Sequence, residues 1–417
     1  MNLKFIVTLV GCTLLLFVLA GCGGQQVEGP AGPVGPAGPE GPAGPIGETG
    51  PAGPAGSSGA EYVGDQICGG CHADLYAEYM LSGHPWNLTP IVTGLAPDYP
   101  LSDIPTPPEG YEWRDILYVI SGYNWKALFV DLEGYIITDA PGITGTTTYL
   151  NQYNLANQAL GFNAAWTGHH AGEPNLAFTC GACHTTGYRP QGNQDGLPGL
   201  VGTWAQPGVR CEACHGPGSA HIGNPQGVSM QIDRDSDSCL ECHNQAPADS
   251  LPITGSFIDN HDVAVDLMMG PHRVVDCVTC HDPHTGVVQL RLAGEPTTNY
   301  PCASCHWQEA ATQGVDFHVQ MNMACEECHM PRLITIAQAN AGTFTGDYRT
   351  HRVAIDPYQV GQLNADGTQV LPQIGLDFAC RHCHGAGMGA PRTDAELIEA
   401  AVGYHARPAT DTTGGTP

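Results

Sequence analysis

Lysine is almost missing from this chain: Lys4 and Lys126 are the two among 417 residues. Lysine and arginine together number 14 against 41 acidic residues, a formal charge of −27. So acidic a balance disfavours nucleic acid and anionic lipid surfaces as partners. It reads first as a solubility device, and second as a docking face for basic proteins or metal cations. Long apolar runs are scarce as well. The one that stands out, residues 5–19, is too short to cross a bilayer comfortably; with Lys4 before it and small residues after it, it reads as an export signal. Cysteine outside one repeated pattern is limited to Cys12 and Cys22. That excludes a disulfide framework and a free thiol from the exported chain.

What is present is a repeat. Cys-x-x-Cys-His occurs eight times: at Cys68, Cys71 and His72; Cys180, Cys183 and His184; Cys211, Cys214 and His215; Cys239, Cys242 and His243; Cys277, Cys280 and His281; Cys302, Cys305 and His306; Cys325, Cys328 and His329; and Cys380, Cys383 and His384. Two intervening residues let both sulfurs reach one porphyrin edge, and the following His folds under the ring as the proximal iron ligand. A zinc ribbon would pair its Cys-x-x-Cys units and leave the next residue free. The implied cofactor is haem c, eight groups, covalently attached.

Leu19-Ala20-Gly21-Cys22 resembles the bacterial lipobox, so residues 1–21 are expected to be removed and Cys22 acylated. Gly23, where Asp would retain a lipoprotein in the inner membrane, implies delivery to the outer membrane, facing the periplasm or the cell exterior. Diacylation meets the two-signal requirement for a stable lipid anchor. After the anchored segment 22–28, residues 29–56 place Gly at every third position with Pro frequently next, a collagen-like stalk. As polyproline II it reaches roughly 85 Å at ~3.1 Å per residue, as a single chain or wound into a homotrimer. Residues 57–60 form the join, 61–406 one octahaem domain, and 407–417 a tail expected to be disordered.

About forty-three residues per haem is little, so the porphyrins are expected to make much of the core. Secondary structure is expected to be sparse. A small β-meander is predicted at 116–138, from β-rich runs joined at Gly122 and at Glu133-Gly134. Helices are predicted over 73–81, closed by Gly83, and over 395–404, opened by the capping pair Thr393 and Glu396.

The region resembles the cytochrome c-552/c-554 family of multihaem cytochromes, related to the octahaem hydroxylamine oxidoreductase group. Tyr62-Val63-Gly64, Ser82-Gly83-His84, Cys183-His184-Thr185-Thr186-Gly187-Tyr188 and the stretch from Gly208 through Cys211-Glu212-Ala213-Cys214-His215 to Gly216-Pro217-Gly218-Ser219-Ala220-His221 carry the likeness. Cys280-His281-Asp282-Pro283-His284 and Cys328-His329-Met330-Pro331 extend it. The resemblance implies a fold class of mainly α plus irregular coil, with closely packed haems in stacked and T-shaped pairs that pass electrons along a chain. It also marks His84, His221 and His284 as distal iron ligands.

Eleven histidines lie outside the proximal positions, enough to saturate every iron. His272, His318 and His351 stand near a motif or a break where a loop can fold over a neighbouring ring. His405 shares a predicted helical face with Leu397 and Ala401, His261 is a further candidate, and one of the pair His169 and His170 is expected to bind, His170 being taken. His382 lies inside the last motif and is excluded. With this surplus, few or none of Met268, Met269, Met321, Met323 and Met388 are expected to ligate.

Bis-His coordination closes an iron to substrate and suits it to electron transfer. The expected partners are other redox proteins or extracellular acceptors, and a surplus histidine that ligated a neighbouring subunit's haem would build a homopolymeric filament. The competing class is an octahaem redox enzyme acting on small nitrogen or sulfur compounds at one open-coordinate haem. Lysine and thiolate ligation are excluded for such a site, since every motif ends in His and no spare thiol remains. Asp233, Asp235 and Asp237 lack the Gly and Glu of a calcium loop and are expected to form a solvated turn.

Overall fold

The computed structural model describes residues 59–244, 251–259, 263–287, 297–311, 318, 321–385 and 390–406. The export signal, Cys22, the collagen-like tract, most of the join, His261 and the tail 407–417 lie outside the described residues.

Between the first and second motifs the chain builds a sheet larger than the predicted meander. Its strands are β1 (Leu88–Pro90), β2 (Ile116–Ser121), β3 (Lys126–Asp131), β4 (Tyr135–Ile136), β5 (Gln152–Asn154), β6 (Ala165–Thr167) and β7 (Leu176–Ala177), in the order β1-β2-β3-β4-β7 with β5 joining β3 to β6. The predicted segment forms its centre, and its turns fall at Gly122 and Gly134, both at positive φ. At Gly134 a Cβ would come 2.7 Å from Leu200 Cγ, so the turn admits only glycine there.

Alternation explains why both faces are buried. Tyr118, Ile120 and Val130 pack with Phe178, Leu200 and Trp204 on one side, while Val119, Ala127 and Phe129 pack with Tyr123, Tyr149 and Tyr153 on the other. A bulge between Ile116 and Tyr118 lets Ile116 share a face with Val119 despite their odd spacing. Sequence reasoning underestimated the strand content because β1 and β5 to β7 are two or three residues long, too short to show a period.

A second, four-stranded sheet runs β12 (Ile253–Thr254), β13 (Phe257–Asp259), β14 (Ile334–Asn340) and β15 (Thr345–Tyr348), once β8 (Thr185–Thr186), β9 (Arg189–Asn193), β10 (Val201–Thr203) and β11 (Gln206–Pro207) are counted as two small ribbons. Asp347, 3% exposed, accepts backbone N–H bonds from Ile336, Ala337 and Gln338 and so shapes the middle of β14, where its pairing with β15 is interrupted. The two sheets meet where Trp125 Nε1 donates to Asp347 O at 3.2 Å and Gln338 Nε2 donates to Leu155 O at 2.9 Å.

Both predicted helices are present and shorter than expected. The first covers Ala73–Tyr79, and Gly83 opens the following 3-10 turn, His84–Trp86, rather than closing the helix. The last covers Asp394–Ala401 with the Thr393 and Glu396 capping box intact. It ends because Gly403 turns left-handed, so His405 sits in a separate turn, Tyr404–Ala406, and not on the helical face of Leu397. Among the described residues no helix is long and apolar enough to cross a membrane.

Candidate haem-binding array

Each repeat closes on itself as one helical turn. His72, His184, His281 and His306 each donate their backbone N–H to the carbonyl of the first Cys of their own motif, at 2.8 to 3.1 Å. Helices Cys211–His215, Asp237–His243 and Cys325–His329 place three further motifs in the same way, and the eighth runs from a π-helical stretch, Asp377–Arg381, into the turn His382–His384. One turn puts the two thiols on a common side and projects the imidazole from the next position.

The proximal imidazoles then face distant ones. Ring centres are 6.5 Å apart for His72 and His221, 6.3 Å for His243 and His84, 6.2 Å for His215 and His284, and 6.1 Å for His281 and His351. For His306 and His272 the value is 5.8 Å; for His384 and His318, and for His329 and His405, it is 5.9 Å. An ordinary ring contact is closer, as His169 and His170 show at 4.6 Å. An imidazole nitrogen about 2 Å from a metal, its ring centre about 1 Å behind it, sets two rings on opposite sides of one ion roughly 6 Å apart. The seven separations therefore fit a donor set for haem iron, each pair beside two thiols.

The candidates brought to a motif histidine are thus His84, His221, His272, His284, His318, His351 and His405. His170 is not. It lies in a left-handed turn after β6, with Nδ1 2.7 Å from Glu173 Oε2 and its ring against His169, whose amide is held by Asn151 Oδ1. A residue committed to closing that exposed turn is not free to reach across to a motif. The candidate remaining for His184 is His261, outside the described residues. His382 turns its Nδ1 to Phe378 O at 3.0 Å.

The second nitrogen of many of these rings is also fixed. Nδ1 of His184, His215, His221 and His329 meets the carbonyls of Asn87, Gln231, Val228 and Val353 at 2.6 to 2.9 Å. His318 meets the Tyr404 hydroxyl at 3.0 Å, and His284 meets Asp282 Oδ1 at 3.1 Å. Such contacts set the tautomer that leaves Nε2 available for a metal. Chain distance hid Asn87, Gln231 and Val353 from sequence reasoning, because carbonyls carry no sequence signal.

Burial favours the neutral form, the one a metal needs, for six of the rings. It pushes His84 and His351 down to about 4, His84 with help from His243, and lowers His272, His281, His318 and His329 as well. Burial also raises most of the thiols, Cys211 and Cys328 to about 12.

Thiols of different motifs meet, and their contacts give the motifs a spatial order. Cys68 lies near Cys211, Cys183 near Cys242, Cys239 near Cys277, and Cys302 near Cys325. Cys214 lies beside Cys239 and Cys242, Cys280 beside Cys305, and Cys328 beside Cys380 and Cys383. Ser236 Oγ accepts from Cys277 N at 3.1 Å and pins the fourth motif to the fifth. The line runs first, third, fourth, fifth, sixth, seventh, eighth, and the second motif joins it at the fourth.

Two family models match parts of the chain: the doubled CXXCH motif over residues 270–311, and cytochrome c554 and c-prime over 152–216. The chain is 27% identical over 171 residues to the multiheme cytochrome MtrA of Shewanella baltica, covering 38% of this chain and 46% of that protein. It is 26% identical over 220 residues to the dissimilatory sulfite reductase MccA of Wolinella succinogenes, covering 41% of this chain and 30% of that one. The chain therefore spans less than half the length of these curated relatives. The solved octaheme sulfite reductase MccA from the same organism superposes with a TM-score of 0.50 at 17% identity, over 81% of this chain and 66% of that one, which is a likeness of fold.

Proposed function

We propose that this chain, a multihaem c-type cytochrome, is an electron-transfer protein carrying eight haem c groups, its irons held by histidine on both faces. The observation that carries the reading is the set of seven imidazole pairs at 5.8 to 6.5 Å, each joining a motif histidine to one from elsewhere in the chain. Haem, when bound, supplies a one-electron ferric–ferrous couple. The cysteines tether each group through two thioethers. The paired imidazoles would hold the iron from both sides and leave no opening for substrate, and His261 is the partner we assign to His184. Contacts between motifs hold the sites in one branched line, which suits a relay between a donor at one end and an acceptor at another.

The remaining layout belongs to the same proposal: export through residues 1–21, acylation at Cys22, a collagen-like stalk over 29–56, and an octahaem domain over 61–406 relaying electrons between respiratory carriers and external acceptors at the outer membrane. A homotrimer through the stalk and a haem-linked filament are the two assemblies it permits. The likeness to MccA, named as a sulfite reductase, supports one competing reading, an octahaem enzyme with an open iron. Intact mass of the natively matured chain decides the loading, with eight haems expected. Electron paramagnetic resonance of the oxidised protein decides the ligation: eight low-spin centres support the relay, whereas a high-spin ferric signal that changes on adding sulfite supports the enzyme. A mass with no added tetrapyrrole overturns both.

A further inference from the structure

Among the fixed rings, His284 differs in what holds its second nitrogen. The acceptors at His184, His215, His221 and His329 are neutral carbonyls, and at His318 a phenol. At His284 it is the carboxylate of Asp282, with Oδ1 3.1 Å from Nδ1. The same oxygen accepts the His284 backbone N–H at 2.9 Å, so the carboxylate is locked to the ring it faces. At His306 the nearest carboxylate oxygen, of Glu309, stands 3.9 Å away, beyond a hydrogen bond.

A carboxylate on the far nitrogen draws the ring's proton toward itself and gives the metal-facing nitrogen imidazolate character. A stronger donor and a nearby negative charge both favour the ferric over the ferrous state. Ring orientation acts in the same direction. His215 and His284 lie 6° from parallel, whereas His84 and His243, at the neighbouring fourth motif, are crossed by 64°. Parallel imidazoles donate into the same iron d orbital and stabilise the ferric hole there; crossed ones divide their donation between two orbitals and stabilise it less. The two sites are neighbours through Tyr79, whose ring centre lies 6.4 Å from that of His84 and 6.5 Å from that of His284, and the fourth motif is where the second joins the line.

We propose that Asp282 is a positioning residue that holds the His215–His284 site at a lower reduction potential than the His243–His84 site, so that electrons at the third motif move toward the junction at the fourth. This rests on the bis-His reading of those two sites. It also separates the axial pairs into spectroscopic classes. The near-parallel pairs at His215 and His72 give ordinary rhombic low-spin signals, and the crossed pair at His243 a strongly anisotropic one.

The test uses the full, natively haem-loaded chain and its Asp282→Asn, Asp282→Ala and His284→Ala variants, followed by optical and paramagnetic-resonance redox titration. Asp282→Asn keeps a neutral acceptor of the same shape. It is expected to raise one midpoint, carried by a rhombic low-spin signal, and to leave the others in place. Asp282→Ala is expected to raise the same midpoint at least as far, and His284→Ala to convert one low-spin centre to high-spin. Unchanged midpoints in Asp282→Asn, with His284→Ala still losing a low-spin centre, overturn the tuning and leave the bis-His reading standing. A low-spin count unaffected by His284→Ala overturns both. Loss of the rhombic signal in Asp282→Asn also overturns the tuning, since the carboxylate would then be required for ligation itself.

Discussion

His84, twelve residues beyond the first motif histidine, faces not that ring but His243 of the fourth motif, across 6.3 Å. The same exchange recurs. His221 follows the third motif and faces the first, His284 follows the fifth and faces the third, and His405 follows the eighth and faces the seventh. Each site therefore ties two parts of the chain that are remote in sequence. On the proposed ligation each pair would act as a cross-link, and folding would be coupled to loading.

If the facing imidazoles ligate iron as proposed, removing one exposes one iron and loosens one cross-link. His84→Ala is expected to convert a single low-spin haem to high-spin and to leave the intact mass carrying the same number of haems, because the thioethers at Cys239 and Cys242 are untouched. Paramagnetic resonance and intact mass check the two halves. Loss of a haem from the mass, or an unchanged low-spin count, contradicts the pairing of His84 with His243.

Glu212, inside the third motif and 1% exposed, is a clamp. Its carboxylate accepts from the backbone N–H groups of Val63, Gly64 and Gly218 at 2.7 to 3.1 Å, binding the entry of the first motif to the third. Truncation leaves three N–H groups without their charged acceptor, so Glu212→Ala is expected to cost about 3 kcal/mol of apparent stability. Glu212→Gln, which keeps one acceptor oxygen, should cost less. Denaturant midpoints of the loaded protein rank the two, and an alanine variant as stable as the parent contradicts the clamp.

Asp266 and Arg352 form an ion pair with side chains 2% and 0% exposed, Nε to Oδ1 at 2.6 Å. Asp266 Oδ2 also accepts from Thr350 Oγ1 and from the backbone N–H of His351, while Arg352 Nη1 donates to Leu371 O at 2.9 Å. Breaking such a pair strands a buried charge, which costs about 3–5 kcal/mol. Asp266→Ala is expected to reach that range and to disturb the low-spin signal of the His281–His351 site. The double variant Asp266→Ala with Arg352→Leu should recover part of the stability, because no charge is then stranded. A double variant whose loss equals the sum of the singles contradicts the pairing.

The donor set of the array was legible in sequence because the repeated motif has a local, fixed spacing, and because a histidine is recognisable wherever it stands. Seven of the nine distal candidates stand opposite a motif ring. Which ring each faces was not legible, since the exchange between motifs depends on long-range packing that leaves no local pattern. His170 shows the limit. A histidine next to His169 looks like a ligand reserve, yet its left-handed backbone and its contact with Glu173 make it a turn residue. Asp266 and Arg352 were invisible for the same reason, being 86 residues apart and meaningful only once buried together.

His169 carries a pH dependence separate from the haem sites. Burial, with His170 and Lys126 adding to it, lowers its imidazole to about 4 from an ordinary 6.5. As pH falls from 6.5 toward 4, the unfolded segment takes up a proton that the folded one refuses, so stability is full above the upper value and is lost progressively through that window. Local unfolding of β5 and β6 should therefore become easier on acidification. Hydrogen exchange at the amides of Asn151 and His169, which pair with Thr167 O and Asn151 Oδ1, reads it directly. Protection is expected to fall several-fold between pH 6.5 and 4.5 after correction for intrinsic rates, and His169→Gln, which cannot be protonated, should flatten the profile. A parent profile already flat across the window would contradict the role of His169; a variant profile as steep as the parent's would assign the dependence to another group.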